Sequence, residues 1–135
     1  MDISNYDTRE KSSEGIEWTI KDEWGDDIIS EVDGQPIKIR TKGLDTPEAQ
    51  ARIAKINKGL KPKSDMTAYG KAIENSDAKL FAWFIIGWTD NMMHEGEPFK
   101  YSPENAFKLM KVAFFRDQQA EVLRDRSNFM KKASD

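Results

Sequence analysis

The chain contains no cysteine and a single histidine, His94. The first absence removes disulfides, thiolate zinc sites and cysteine nucleophiles together. The second leaves a Ser-His-Asp triad one position to be built around, and leaves a His/Cys zinc site none. Long apolar runs are missing too. The most apolar stretch, LFAWFIIGW from Leu80 to Trp88, falls far short of the ~20 residues that span a bilayer. The N-terminal MDISNYDTREKSSEG is polar and acidic, unlike a signal or transit peptide. The glycines are scattered and form no phosphate loop, and no internal repeat or low-complexity block occurs. These absences set the expectation of a soluble, intracellular protein without metal or cofactor.

What is present is a chain of 135 residues, 38% apolar and 33% charged, with a formal net charge of −3. That length predicts one domain with a modest core. Met1 to Glu14 holds almost no apolar side chains and is expected to be a mobile tail, leaving residues 15–135 as the domain. Ile16, Trp18 and Ile20 alternate with Glu17, Thr19 and Lys21, the pattern of a half-buried strand. Asp33-Gly34 is a hairpin signal before a second alternation through Ile37 and Ile39. Pro36 keeps the start of that strand at an edge.

The period then changes to that of helices. Thr46 is placed to cap a helix with Pro47 at its first position, and Ala49, Ile53, Ile56 and Leu60 follow at helical spacing. Gly59 and Pro62 end it. Ser64 or Asp65 opens a further helix with Met66, Tyr69 and Ile73 on one face, and Asn75-Ser76-Asp77 is expected to interrupt or restart it. Ala78 to Trp88 is apolar around nearly its whole circumference, the pattern of a buried helix. Gly96 and Pro98 then shape a turn, Ser102 caps, and Pro103 starts a helix whose face carries Phe107, Met110 and Phe114. A final pattern through Phe115, Val122, Leu123, Phe129 and Met130 is expected to stay helical to near Lys132. The fold expected is therefore mainly α within the α+β class. A small N-terminal antiparallel hairpin or sheet precedes about four to five helices around a central apolar one.

Catalytic chemistry finds little purchase. Asp22, Glu23, Asp26 and Asp27 surround Trp24 in DEWGDD, but without the register and distal Glu of a calcium loop. A solvated turn is the better reading. His94 has no second histidine four residues on. Charge is segregated: Glu14 to Asp33 holds eight acidic residues and one basic, whereas Lys38 to Lys63 holds eight basic and two acidic. The basic stretch has no aromatic residue to stack on bases, which makes a solvated helix face, or a patch for an acidic partner, a better match than nucleic acid. Opposite charges pair within one molecule or between neighbours. The aromatic residues of Ala78–Trp88 are core, or an uncovered face that implies a partner. Phe115, Val122 and Phe129, spaced by seven, are core or an interhelical seam. Two such faces with segregated charge fit head-to-tail assembly into open helical or ring-like oligomers.

Trp88 followed by GEPFKYSPENAFKLM from Gly96 to Met110 resembles the tail assembly chaperones of long-tailed, lambda-like bacteriophages. In that family a tryptophan near the end of a helix precedes a Gly-x-Pro turn and a Tyr/Phe-Ser-x-Glu-Asn helix start. The matching residues are Trp88, Gly96, Pro98, Tyr101, Ser102, Glu104 and Asn105. Gly43 to Gly59 resembles the family's Asp-Ser helix start, with Asp45 and Thr46 in the corresponding places. The likeness covers roughly Ile37 to Met130.

The resemblance implies a mainly helical, self-associating and non-enzymatic protein of the infected bacterial cytoplasm, absent from the mature virion. Such a protein binds the long tape measure protein, keeps it soluble and recruits tail tube subunits. The family often makes a frameshifted longer product, with which Lys131-Lys132 is compatible. On this reading the interface candidates are Phe81, Phe84, Trp88, Tyr101, Phe115, Val122 and Phe129. Asp45, Thr46, Pro47, Gly96, Pro98, Ser102, Pro103 and Asn105 shape the two helix starts. The competing expectations are a head-tail connector subunit that stays in particles, and a nucleic-acid-binding regulator using residues 38–63.

Overall fold

The computed structural model describes residues 1–131. Its helices are α1 (Arg9–Glu14), α2 (Pro47–Gly59), α3 (Met66–Phe84), α4 (Pro103–Met110) and α5 (Ala113–Arg124). The strands are β1 (Ile16–Thr19), β2 (Lys38–Thr41), β3 (Ile85–Trp88), β4 (Met93–His94) and β5 (Glu97–Pro98). This is a mixed α+β fold with a small antiparallel sheet, as expected from the sequence.

The three-stranded sheet has the order β1-β2-β3, antiparallel throughout. The alternation around Ile16–Ile20 places Trp18 opposite Ile39, and the central strand buries Ile39 and Thr41 completely. Beyond β1 the pairing continues through Ile20, Ile28 and Ile37, whose backbone hydrogen bonds run from 2.9 to 3.2 Å. The Asp33-Gly34 reversal forms as the sequence implies, with the Asp33 side chain accepting from the Gln35 N–H at 3.0 Å.

The third strand is a correction. Ala78–Trp88 is not one buried helix: α3 ends at Phe84 and Ile85–Trp88 pairs with β2. An apolar run fits a buried strand as well as a buried helix, and two β-branched residues before Gly87 favour the strand. The free edge of β2 decides it, because its backbone groups need partners. The Lys42 N–H donates to the Phe84 carbonyl at 2.8 Å and the Thr89 N–H to the Lys38 carbonyl at 3.0 Å. Asn75-Ser76-Asp77, expected to interrupt or restart the helix, is crossed by α3 without a break.

All three predicted helix starts are present. Thr46 accepts from the Ala49 N–H with Pro47 in the first turn, Asp65 accepts from the Thr67 and Ala68 N–H groups, and Ser102 accepts from the Asn105 N–H with Pro103 in the first turn. The C-terminal pattern is a second correction. It is broken at Lys111-Val112, so Phe114 belongs to α5 rather than to the face of α4. It breaks again at Asp125, whose carboxylate accepts from the Ser127 N–H and starts a separate 3-10 turn, Arg126–Phe129. The expected continuation to Lys132 falls outside the described residues.

The N-terminal tail is the third correction. Residues 1–14 carry a 3-10 turn at Ile3–Tyr6 and then α1, with Thr8 and Ser12 buried. What holds them is close polar approach. The Gly43 N–H donates to the Ser12 carbonyl at 3.0 Å. A Cβ at Gly43 would lie 2.4 Å from Ser12 Oγ and 2.8 Å from the Phe129 ring.

Two apolar clusters form the core. The first joins the sheet (Ile20, Ile39, Ile85) to α3 and α4, where Ala78, Ala82 and Ala106 let the two helices approach closely. The second gathers Ala49, Phe84, Leu123 and Phe129 beneath α2. Phe81 packs against both.

Candidate functional site

The loop between β3 and α4 is held from both ends by side chains. Asn91, 4% exposed, donates to Asp33 Oδ1 at 3.1 Å and to the Gln35 and Pro36 carbonyls at 3.2 Å. The Asn91 backbone carbonyl accepts from Ser30 Oγ at 2.6 Å. One side chain thereby ties this loop to the 30–36 turn. β4 and β5 follow as a short ribbon reversed at Glu95 and Gly96, with φ of +51° and +79°. Two successive residues in the left-handed region make the tight reversal whose twist suits a hairpin.

Trp88 is the centre of a clasp. Its Nε1–H donates to the Phe99 carbonyl at 2.7 Å, its ring stacks on Phe99 at 5.5 Å, and Tyr101 meets it edge-on at 5.3 Å. The Tyr101 hydroxyl donates to the Ile85 carbonyl at 3.1 Å. Asn105 Nδ2 donates to the Lys100 carbonyl at 2.8 Å. Trp88, Gly96, Pro98, Tyr101, Ser102, Pro103 and Asn105 thus act in one loop-to-helix junction, each in an architectural role.

Against this junction lies an apolar cleft of about 290 Å³, walled by the 28–37 segment, the β3–α4 loop and the α4–α5 junction. Ile20, Met92 and Leu109 form its buried floor, and Phe99 links its wall to the Trp88 clasp. Its rim keeps Ile29, Met93 and Val112 exposed at 52%, 37% and 47%. Glu31, His94 and Lys108 add polar groups at the edge. An apolar floor with exposed apolar rims is suited to take side chains from another surface. Phe115 lines this cleft.

The other interface candidates lie elsewhere. Phe84 and Phe129 are 1% and 2% exposed in the second core cluster, so they belong to the core rather than to a free face. Phe81 and Trp88 are half-buried against the core and Tyr101 is 36% exposed. Val122 is half-buried on α5, whose end at Arg124 separates it from Phe129 and prevents a continuous seven-residue seam. The residues that make the rim, Ile29, Met93 and Val112, were missed. The only sequence signal was their apolar character beside turns.

Asp45 has a role of its own. Its carboxylate accepts from Arg126 Nε at 3.0 Å and from Thr8 Oγ at 2.5 Å. The Arg126 hydrogen bonds, with that from Thr8, hold it below the usual carboxylate range against the opposing effect of burial. Thr46 and Pro47 beside it start α2. The basic stretch 38–63 is divided among different surfaces. Lys38 and Arg40 stand on β2, Lys42 lies over the Trp83 ring at 5.6 Å, and the remainder flank α2.

Among the described residues no group of three or more His, Asp or Glu side chains is arranged to hold a metal, and no helix is long and apolar enough to cross a membrane. No protein-family model, curated protein or solved structure matches the chain.

Proposed function

We propose that this chain is a tail assembly chaperone, which holds apolar segments of a helical tape measure protein in solution and helps recruit tail tube subunits. The observation that carries this reading is the position of the residues resembling that family. The Trp88–Asn105 junction forms one wall of the apolar cleft, through Met92, Met93 and Phe99. A loop shaped with this much care has a use if it holds a receptor surface open.

A cleft of about 290 Å³ takes one or two large side chains, not a whole helix. The mode is that of an amphipathic helix laid across a groove and anchored by a few residues. On this reading the chain works by covering apolar surface, without catalysis, in the cytoplasm of an infected bacterium, and does not remain in the finished particle.

Co-expression with the long helical tail protein, followed by light scattering of what co-purifies, tests it. The wild-type chain is expected in a large soluble complex. Ile29→Asp with Val112→Asp, both on the exposed rim, should leave the partner aggregated while the circular dichroism spectrum is unchanged. A small free monomer beside an aggregated partner, or a double variant that solubilises it as well as wild type, would overturn the reading.

A further inference from the structure

The DEWGDD turn and the cleft between α2 and α3 are complementary in charge, and neither is used by the site above. The turn is ordered. Asp22 Oδ1 accepts from the Trp24 and Asp26 N–H groups at 2.9 Å each, and the Asp22 N–H donates to the Asp26 carbonyl at 2.8 Å. Lys21 pairs with Asp27 across its base. At its tip Trp24 is 79% exposed, with Glu23 and Asp26 beside it. An indole held out in water on a rigid, acidic turn is an unfilled contact.

The α2–α3 cleft, of about 670 Å³, is walled by Arg52, Lys55, Lys61, Lys63 and Lys79 and has no carboxylate in its lining. Ile56, Leu60 and Ala72 give it an apolar floor. None of the five cations makes an ion pair with a described residue. Arg52 Nε is buried with no hydrogen-bond partner among the described residues, and an entering carboxylate would supply the acceptor that this nitrogen lacks.

We propose that the Trp24 turn of one copy seats in the α2–α3 cleft of the next, the indole on the apolar floor and its flanking carboxylates among the cations. The occupant is a second copy because this chain carries the matching acidic knob and does not place it in its own cleft. The cleft lining holds no residue before Arg52. Since knob and hole are different surfaces, the contact is heterologous and propagates until a ring closes or a filament forms. Nucleic acid fits the cleft less well, as its lining has no aromatic side chain to stack on bases.

Magnitude sets the character of this contact. A tryptophan buries about 150–250 Å², far below the roughly 1,200–2,000 Å² of a stable free-standing interface. Rim charges steer association more than they hold it. The contact is therefore weak, concentration-dependent and weakened by salt. It names the two surfaces for the self-association that the chaperone reading includes, and it does not depend on the tape measure protein.

Sedimentation velocity of the purified chain, over a range of concentrations and at low and high salt, provides the test. Wild type is expected to grow with concentration and to return to monomer with added salt. Trp24→Ala, and Lys55→Glu with Lys63→Glu, should each remain monomeric with unchanged circular dichroism. An equimolar mixture of those two proteins should form dimers and stop there, because one supplies the intact cleft and the other the intact turn. Wild type that stays monomeric, Trp24→Ala that assembles like wild type, or a mixture that fails to dimerise would each overturn the proposal. So would a duplex DNA probe that occupies the cleft in preference to a second copy. Co-purification with the tail protein is scored separately: assembly without it sinks only the chaperone reading, and co-purification without assembly sinks only this contact.

Discussion

Asp45 and Arg126 join the start of α2 to the last turn of the described chain. Arg126 Nε lies 3.0 Å from Asp45 Oδ2, and Arg126 Nη2 lies 3.2 Å from Oδ1. Thr8 donates to the same carboxylate, so one side chain ties together three distant segments. Because the carboxyl is held below its usual range in the folded chain, its stabilising effect is complete above the unfolded pKa of about 3.9. It is lost as pH falls through the lowered folded value. Asp45→Asn should lower the melting midpoint at neutral pH by about 2–4 °C, the size expected of a partly exposed ion pair. The gap from wild type should hold down to about pH 4 and then close, as thermal melts across pH would show.

Gln119 is wholly buried and bridges two elements. It accepts from Trp18 Nε1 at 2.9 Å and donates to Thr41 Oγ1 at 2.8 Å, and Thr41 in turn donates to the Phe84 carbonyl at 3.1 Å. Gln119→Leu keeps the volume and leaves the Trp18 N–H without its acceptor, which costs about 1–3 kcal/mol. Urea unfolding measures it, and a loss below about 0.5 kcal/mol would show that the bridge contributes little.

Gly43→Ala forces a methyl against Ser12 Oγ and the Phe129 ring. Overpacking of this kind costs about 1–3 kcal/mol. The loss should be local as well as global. Hydrogen exchange of α1 should speed up more than that of β2, because α1 and Phe129 must move aside. Uniform acceleration across the chain would argue against α1 as the element displaced.

Tyr101→Phe removes the hydroxyl that reaches the Ile85 carbonyl but leaves the ring against Trp88. The expected cost is about 0.5–1.5 kcal/mol. Trp88→Ala also removes the Phe99 stack and its hydrogen bond, so it should cost more and alter the near-ultraviolet circular dichroism. Equal costs for the two variants would mean that the clasp depends on the hydroxyl alone.

The capped helix starts were legible in the sequence because a cap is a local device: Thr46-Pro47 and Ser102-Pro103 act within one turn of chain. The alternation of Ile16, Trp18 and Ile20 was legible for the same reason. Ile85–Trp88 was not, since whether an apolar run is helix or strand depended on an open strand edge more than forty positions earlier. Nor was α1, which has little apolar surface and is held by Gly43, Asp45 and Phe129. The apolar cleft draws its lining from Ile20 to Phe115, so no single stretch of sequence carries its outline.

The tether from Thr8 through Asp45 to Arg126 also bears on synthesis. A chain emerging from the ribosome amino end first exposes α1 long before its partners. Ser12 and Gly43 meet early, but Arg126 and Phe129 are made more than eighty residues later. The second apolar cluster, which needs Leu123 and Phe129, stays open until then, since a domain of this kind completes as a unit. Ribosome-bound chains halted before Leu123 should therefore be protease-sensitive at their amino ends, however well the first strands have paired.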